Sequence, residues 1–149
     1  MHLALNGKRA VVCGATSGVG LATAIGLARA GVEVVLIGRS QMAVDAALKA
    51  VREQLPKARI IGIALDLATE AGTRTLIERV PHTDILIDTL GVGEVLWRHY
   101  IVGMAERGWG QVILPADSAL PDLAEVAVHG LPKGSPAEVA AQVVVRVSC

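Results

Sequence analysis

Short β-branched runs alternate along the chain with longer Ala/Leu-rich stretches. This is the pattern of a parallel sheet covered by helices on both faces. The first run, Ala10-Val11-Val12-Cys13, predicts a strand, with a helix from about Gly18 to Ala30 closed by Gly31. Glu33–Ile37 reads as the second strand, and Ser40 caps a helix that Pro56 ends. Arg59–Ala64 is the third strand, and Thr69 caps a helix running to about Val80. Asp84–Asp88 is the fourth strand, Glu94–Arg107 a helix and Gln111–Leu114 the fifth strand. Beyond Pro115 the prolines and glycines crowd together; helix is expected near Leu123–Val128 and Ala137–Gln142, and a sixth strand at Val143–Val147. The fold class expected is therefore α/β, a single doubly wound, Rossmann-like parallel sheet in the order 3-2-1-4-5-6, forming one domain over residues 1–149.

Composition narrows the partners. Apolar residues make up 52% of the chain and aromatic residues only 2%, so Val, Leu, Ile and Ala must fill the core. The 14 basic residues balance the 14 acidic ones without a basic run, which argues against a nucleic-acid or anionic-membrane surface. No apolar run reaches the ~20 residues a membrane span needs, and the first residues lack the layout of a signal peptide. The two cysteines, Cys13 and Cys149, make no disulfide framework, so a cytoplasmic location is expected. His2, His82, His99 and His129 lie at no metal-ligand spacing, and no metal is expected.

The chemistry begins at Cys13-Gly14-Ala15-Thr16-Ser17-Gly18-Val19-Gly20, between the first strand and the first helix. Gly14 suits a tight reversal, Gly18 leaves bare backbone for a pyrophosphate, and Gly20 lets the helix pack closely. The helix N-terminus aims N–H groups and its positive dipole end at an anion, and Thr16 and Ser17 add hydroxyls. At the end of the second strand Arg39 stands where a carboxylate would hold a ribose hydroxyl. A guanidinium there grips a phosphate with two hydrogen bonds, which favours NADP over NAD as the bound dinucleotide; the plainer alternative is a solvated surface arginine.

The spacing Gly-x-x-x-Gly-x-Gly resembles the short-chain dehydrogenase/reductase family, with Cys13 in the family's Thr place and Val19 in its Ile place. The resemblance is close over residues 5–91 and partial over 98–120. It implies that Gly14, Thr16, Ser17, Gly18, Val19, Gly20 and Arg39 meet the cofactor, that Asp66 and Leu67 touch adenine, and that Leu90 and Gly91, within Asp88-Thr89-Leu90-Gly91 for the family's Asn-Asn-Ala-Gly, close the site. A buried Asp88 needs donors, and Thr89 is expected to supply part of them. The family implies hydride transfer between NADP(H) and a carbonyl or alcohol, and pairing through the helix at Glu94–Arg107, which allows a homodimer.

The catalytic side departs from the pattern. The family's Tyr-x-x-x-Lys becomes His129-Gly130-Leu131-Pro132-Lys133, with Pro132 where a helix interior belongs. His129 and Lys133 are the catalytic candidates on the resemblance, although a loop histidine without a role is the plainer reading of His129. Ala116 falls in the family's Ser slot, Ser118 lies two residues later, and the family's Asn has no counterpart in the shortened stretch between Gly91 and Tyr100. Tyr100, the only tyrosine, lies on a different helix. Asp117-Ser118 reads as a loop cap, and Trp97 and Trp109 as cover for the sheet or a subunit contact. Two functions remain open: an oxidoreductase of this family, or a catalytically inactive dinucleotide-binding module, a shortened relic of one.

Overall fold

The computed structural model describes residues 5–118 and 125–148. Six strands form one all-parallel sheet: β1 (Arg9–Cys13), β2 (Glu33–Gly38), β3 (Ile60–Ala64), β4 (Ile85–Asp88), β5 (Gly110–Leu114) and β6 (Val126–Gly130). Their order is β3-β2-β1-β4-β5-β6, the order expected of a Rossmann-like doubly wound sheet. The helices are α1 (Gly18–Arg29), α2 (Gln41–Gln54), α3 (Glu70–Arg79), α4 (Glu94–Arg107) and α5 (Pro136–Val147). None of the described helices is long and apolar enough to cross a membrane.

Alternation along the central strands divides the core in two. Ala10, Val12, Val34, Leu36, Ile85 and Ile87 face α1, α2 and α5, where Leu27, Val44, Val51 and Val143 cover them. Val11, Cys13, Val35, Ile37 and Leu86 face α3 and α4, where Leu76, Leu96, Tyr100 and Met104 cover them. Burial on both faces accounts for the continuously apolar strands.

Two elements differ from expectation, both after Pro115. The helix expected near Leu123–Val128 is, from Val126 onward, strand β6, pairing in parallel with β5 from Gly110↔Val126 to Leu114↔Gly130; residues 123–124 lie outside the described ones. A short apolar run carries no period long enough to separate strand from helix, and here the open edge of β5 decided it. The strand expected at Val143–Val147 is instead the last turns of α5. Val139, Val143 and Val147 recur every fourth position on the buried face, so helical packing overrode the β-propensity of the valine run. Ser135 starts this helix with a capping box to Glu138, and Pro136 occupies its first turn. The sheet order therefore holds, but its sixth strand is a different segment.

Candidate nucleotide site

The carboxyl ends of β1, β2, β3 and β4 open into a cavity of about 460 Å3. Its floor is the turn after β1. Gly14 has φ +74°, a conformation L side chains rarely adopt, and a Cβ there would lie 2.5 Å from Thr89 Oγ1. Gly20 is tight for a different reason: a Cβ would stand 1.9 Å from the Gly14 carbonyl oxygen. The first turn of α1 thus rests directly on the strand–helix turn, which sets the helix N-terminus beside the cavity that Gly14, Thr16 and Ser17 line. Ser17 is the N-cap of α1, and its side chain makes no capping hydrogen bond, so the hydroxyl is free to meet a ligand.

The cavity brings together Gly14, Thr16, Ser17, Arg39, Asp66, Leu67, Leu90 and Gly91, which chain order scatters over four segments. Three other predicted residues do not line it. Gly18 is exposed at the start of α1, Val19 packs partly against the core, and Gly20 is buried. Sequence reasoning missed Ile37, Ala43, Leu65, Ala68 and Val92, apolar lining residues contributed by the end of β2, the first turn of α2 and the connections after β3 and β4. Strand alternation could have placed Ile37 and Leu65; nothing local marks Ala43 or Val92.

Arg39 and Asp66 stand at the rim. The Arg39 side chain is 82% exposed and its Nη2 lies 4.0 Å from Asp66 Oδ2. At that distance and exposure the pair holds Arg39 weakly, and the guanidinium can turn to a stronger anion. Asp66 is fixed by its own loop, accepting from Ala68 N at 3.1 Å.

Asp88, at the end of β4, is fully buried. Its donors are not Thr89, as the sequence suggested. Oδ1 accepts from the backbone N–H groups of Leu90 (2.9 Å) and Gly91 (3.0 Å), and Oδ2 from Val92 N (2.8 Å) and the Trp97 indole (2.7 Å). Thr89 turns the other way and donates to the Cys13 carbonyl at 2.7 Å. The reason is reach: the backbone folds around Asp88 as a tight turn, while Thr89 faces β1. Burial pushes the Cys13 thiol well above its ordinary range, and the nearby Asp88 carboxylate adds to the rise.

The catalytic candidates do not meet. His129 is in β6, with Nε2 3.1 Å from Gln111 Oε1. Lys133 is exposed in the connection to α5. They share no helix face, because Gly130 ends the strand and Pro132 follows in the connection. Tyr100 is buried and donates to the Val80 carbonyl at 2.7 Å. Burial above all holds its hydroxyl well above the ordinary phenol range, Cys13 adding to that and Arg9 opposing it. Trp109 lies under Lys8 Nζ, 4.2 Å from the ring centroid. Among the described residues no group of three or more His, Cys, Asp or Glu side chains is placed to hold a metal ion.

Partial burial, and after it the charge of Arg146, lower the pKa of His129 from 6.5. The folded state therefore binds this proton less readily than the unfolded chain, so the ring's contribution to stability is complete above 6.5 and is lost as pH falls below it. In an NMR titration the His129 Cε1–H resonance is expected to move with a midpoint below 6.5. A midpoint at or above that value would remove burial as the controlling effect.

The sequence model of the short chain dehydrogenase family matches residues 8–114. An uncharacterized oxidoreductase of Bacillus subtilis, YvaG, is 33% identical over 143 residues, 80% of this chain and 54% of that protein. Human dehydrogenase/reductase SDR family member 13 is 42% identical over 92 residues, 59% of this chain and 24% of that protein. The chain thus spans about half or less of the length of these curated relatives. Among solved structures, a metagenomic short-chain oxidoreductase in complex with NADP superposes with a TM-score of 0.77 at 20% identity, covering 98% of this chain and 92% of that one. L-sorbose reductase from Gluconobacter frateurii, complexed with NADPH and L-sorbose, gives 0.65 at 24% identity, covering 98% and 64%.

Proposed function

The chain belongs to the short-chain dehydrogenase family, and on that premise we propose that the cavity over Gly14 is the adenosine and phosphate end of an NADP(H) site. One observation carries the reading: a tight glycine turn, a helix N-terminus and a weakly held guanidinium converge on one apolar cavity at the strand ends. The glycine floor leaves room that a side chain would fill, and Ile37, Leu65 and Leu67 give apolar lining that would receive a base. The solved relatives that share the fold hold NADP and NADPH, in accord with this choice. Ser17 and the α1 N–H groups would receive the diphosphate, and Arg39 a 2′-phosphate in exchange for Asp66. NAD, lacking that phosphate, would bind more weakly at the same place.

Isothermal titration with both dinucleotides tests this. The expected result is tighter binding of NADP than of NAD, and near-equal, weak binding after Arg39→Ala. A charge-assisted contact of this kind corresponds to roughly tenfold or more in affinity. An unchanged NADP preference in the variant would remove Arg39 from the account.

Hydride transfer is the second reading, favoured by family membership. A bound nicotinamide supplies or accepts the hydride; the chain must then supply the proton at the substrate oxygen. Tyr100 is committed to the core, and Lys133 stands apart from His129, a ring with lowered proton affinity. Without a positioned acid, carbonyl reduction is expected roughly 10²–10⁴-fold below the ~10 s⁻¹ common for enzymes. A ketone panel with NADPH checks this, and ordinary turnover would count against it. Pairing of two copies through α4, where Val95 and Val102 are exposed, and a cytoplasmic location belong to the same reading.

A further inference from the structure

We infer that Trp97 is a positioning residue for the nucleotide site, acting through the Asp88 carboxylate on the wall formed by Leu90, Gly91 and Val92. The inference rests on the nucleotide reading of the cavity and adds what fixes that wall.

The wall is a short connection between β4 and the first turn of α4. Its three residues all line the cavity. Leu90 is 58% exposed, and its side chain leans over Gly14: a Cβ on that glycine would lie 2.9 Å from two Leu90 carbons. Each wall residue gives its backbone N–H to Asp88. The carboxylate therefore sets where the wall stands. The fourth donor comes from outside the loop: the Trp97 indole, one turn into α4, reaches Oδ2 at 2.7 Å. The Asp88 backbone is fixed in β4, but a side chain held by the loop's N–H groups alone could turn with that loop. Tying one oxygen to a side chain on a helix packed against the sheet through Leu96, Tyr100 and Met104 converts the loop into part of the rigid frame. The indole takes up acceptor capacity that Thr89, turned toward Cys13, leaves open.

Its signature differs from that of Arg39. The wall follows β4, whereas Arg39 follows β2, on the other side of β1. Loosening the wall should weaken the shared part of NADP and NAD alike, leaving their ratio intact.

The test uses Trp97→Phe, which keeps an aromatic ring in the partly buried place and removes the N–H, with Trp97→His as the variant that restores a ring N–H. Titration with NADP and NAD is expected to show both affinities lowered by roughly fivefold to tenfold in Trp97→Phe, at an unchanged ratio, with partial recovery in Trp97→His. In a Trp109→Phe background Trp97 is the remaining tryptophan, and its emission is expected to shift when either dinucleotide binds. Affinities within about twofold of wild type in Trp97→Phe, a loss confined to NADP, or a Trp97 emission indifferent to nucleotide would overturn the positioning role. Failure of the wild-type chain to bind either dinucleotide would overturn the nucleotide reading itself, and this inference with it.

Discussion

Gly20→Ala is expected to destabilise the protein by about 2 kcal/mol and to lower dinucleotide affinity by at least roughly tenfold. Helix propensity alone predicts the opposite sign, because Ala is favoured over Gly in a helix interior by about 1 kcal/mol. The deciding quantity is a distance: the added methyl would meet the Gly14 carbonyl oxygen at 1.9 Å and its carbon at 2.7 Å. Those are backbone atoms of the turn, so no side chain can swing aside. Either α1 lifts from the turn or the turn deforms, and both move the floor of the cavity. Thermal unfolding should show a loss of roughly 4–8 °C, and isothermal titration the loss of binding. A variant with wild-type melting temperature and affinity would mean that α1 does not rest on the turn as described.

Asp88→Ala should cost more, at least about 3 kcal/mol, or roughly 6–12 °C in melting temperature. The carboxylate is fully buried and satisfies three backbone N–H groups and one indole N–H. Alanine leaves those donors unpaired and opens a hole beside Cys13, which pairs with Asp88 across β1 and β4. Asp88→Asn is expected to recover part of the loss, since its amide oxygen can still accept while its NH2 faces donors. Equal melting temperatures for Ala and Asn would place the cost in the lost carboxylate acceptors rather than in packing, because Asn refills the hole. Chemical denaturation would separate the two by midpoint at constant slope.

Legibility in the sequence followed the range of the forces involved. The strand–turn–helix at Ala10–Arg29 was readable because its demands are local: a reversal at Gly14 and a helix start at Ser17. Arg39 was readable because the residue after the second strand faces the strand ends in any doubly wound sheet. The donors to Asp88 were not readable. They depend on how the backbone closes around the carboxylate and on which residue of α4 turns inward, and Trp97 looked as suited to cover a sheet as to hold an acid.

The sequence by itself determined the class of sheet, its first five strands and the position of the glycine turn after β1, since alternating apolar runs and glycine spacing act through neighbouring residues. The tertiary structure alone decided the last part of the chain and the fate of the catalytic candidates. Val143–Val147 became helix because α5 has a buried stripe to fill against α1, and Val126–Gly130 became strand because β5 had a free edge to pair. That second choice carries His129 into β6, hydrogen-bonded to Gln111 and separated from Lys133 by the strand's end. Packing between distant elements, which no local pattern encodes, thus built the cavity proposed for the nucleotide while pulling the candidate acid and its lysine apart.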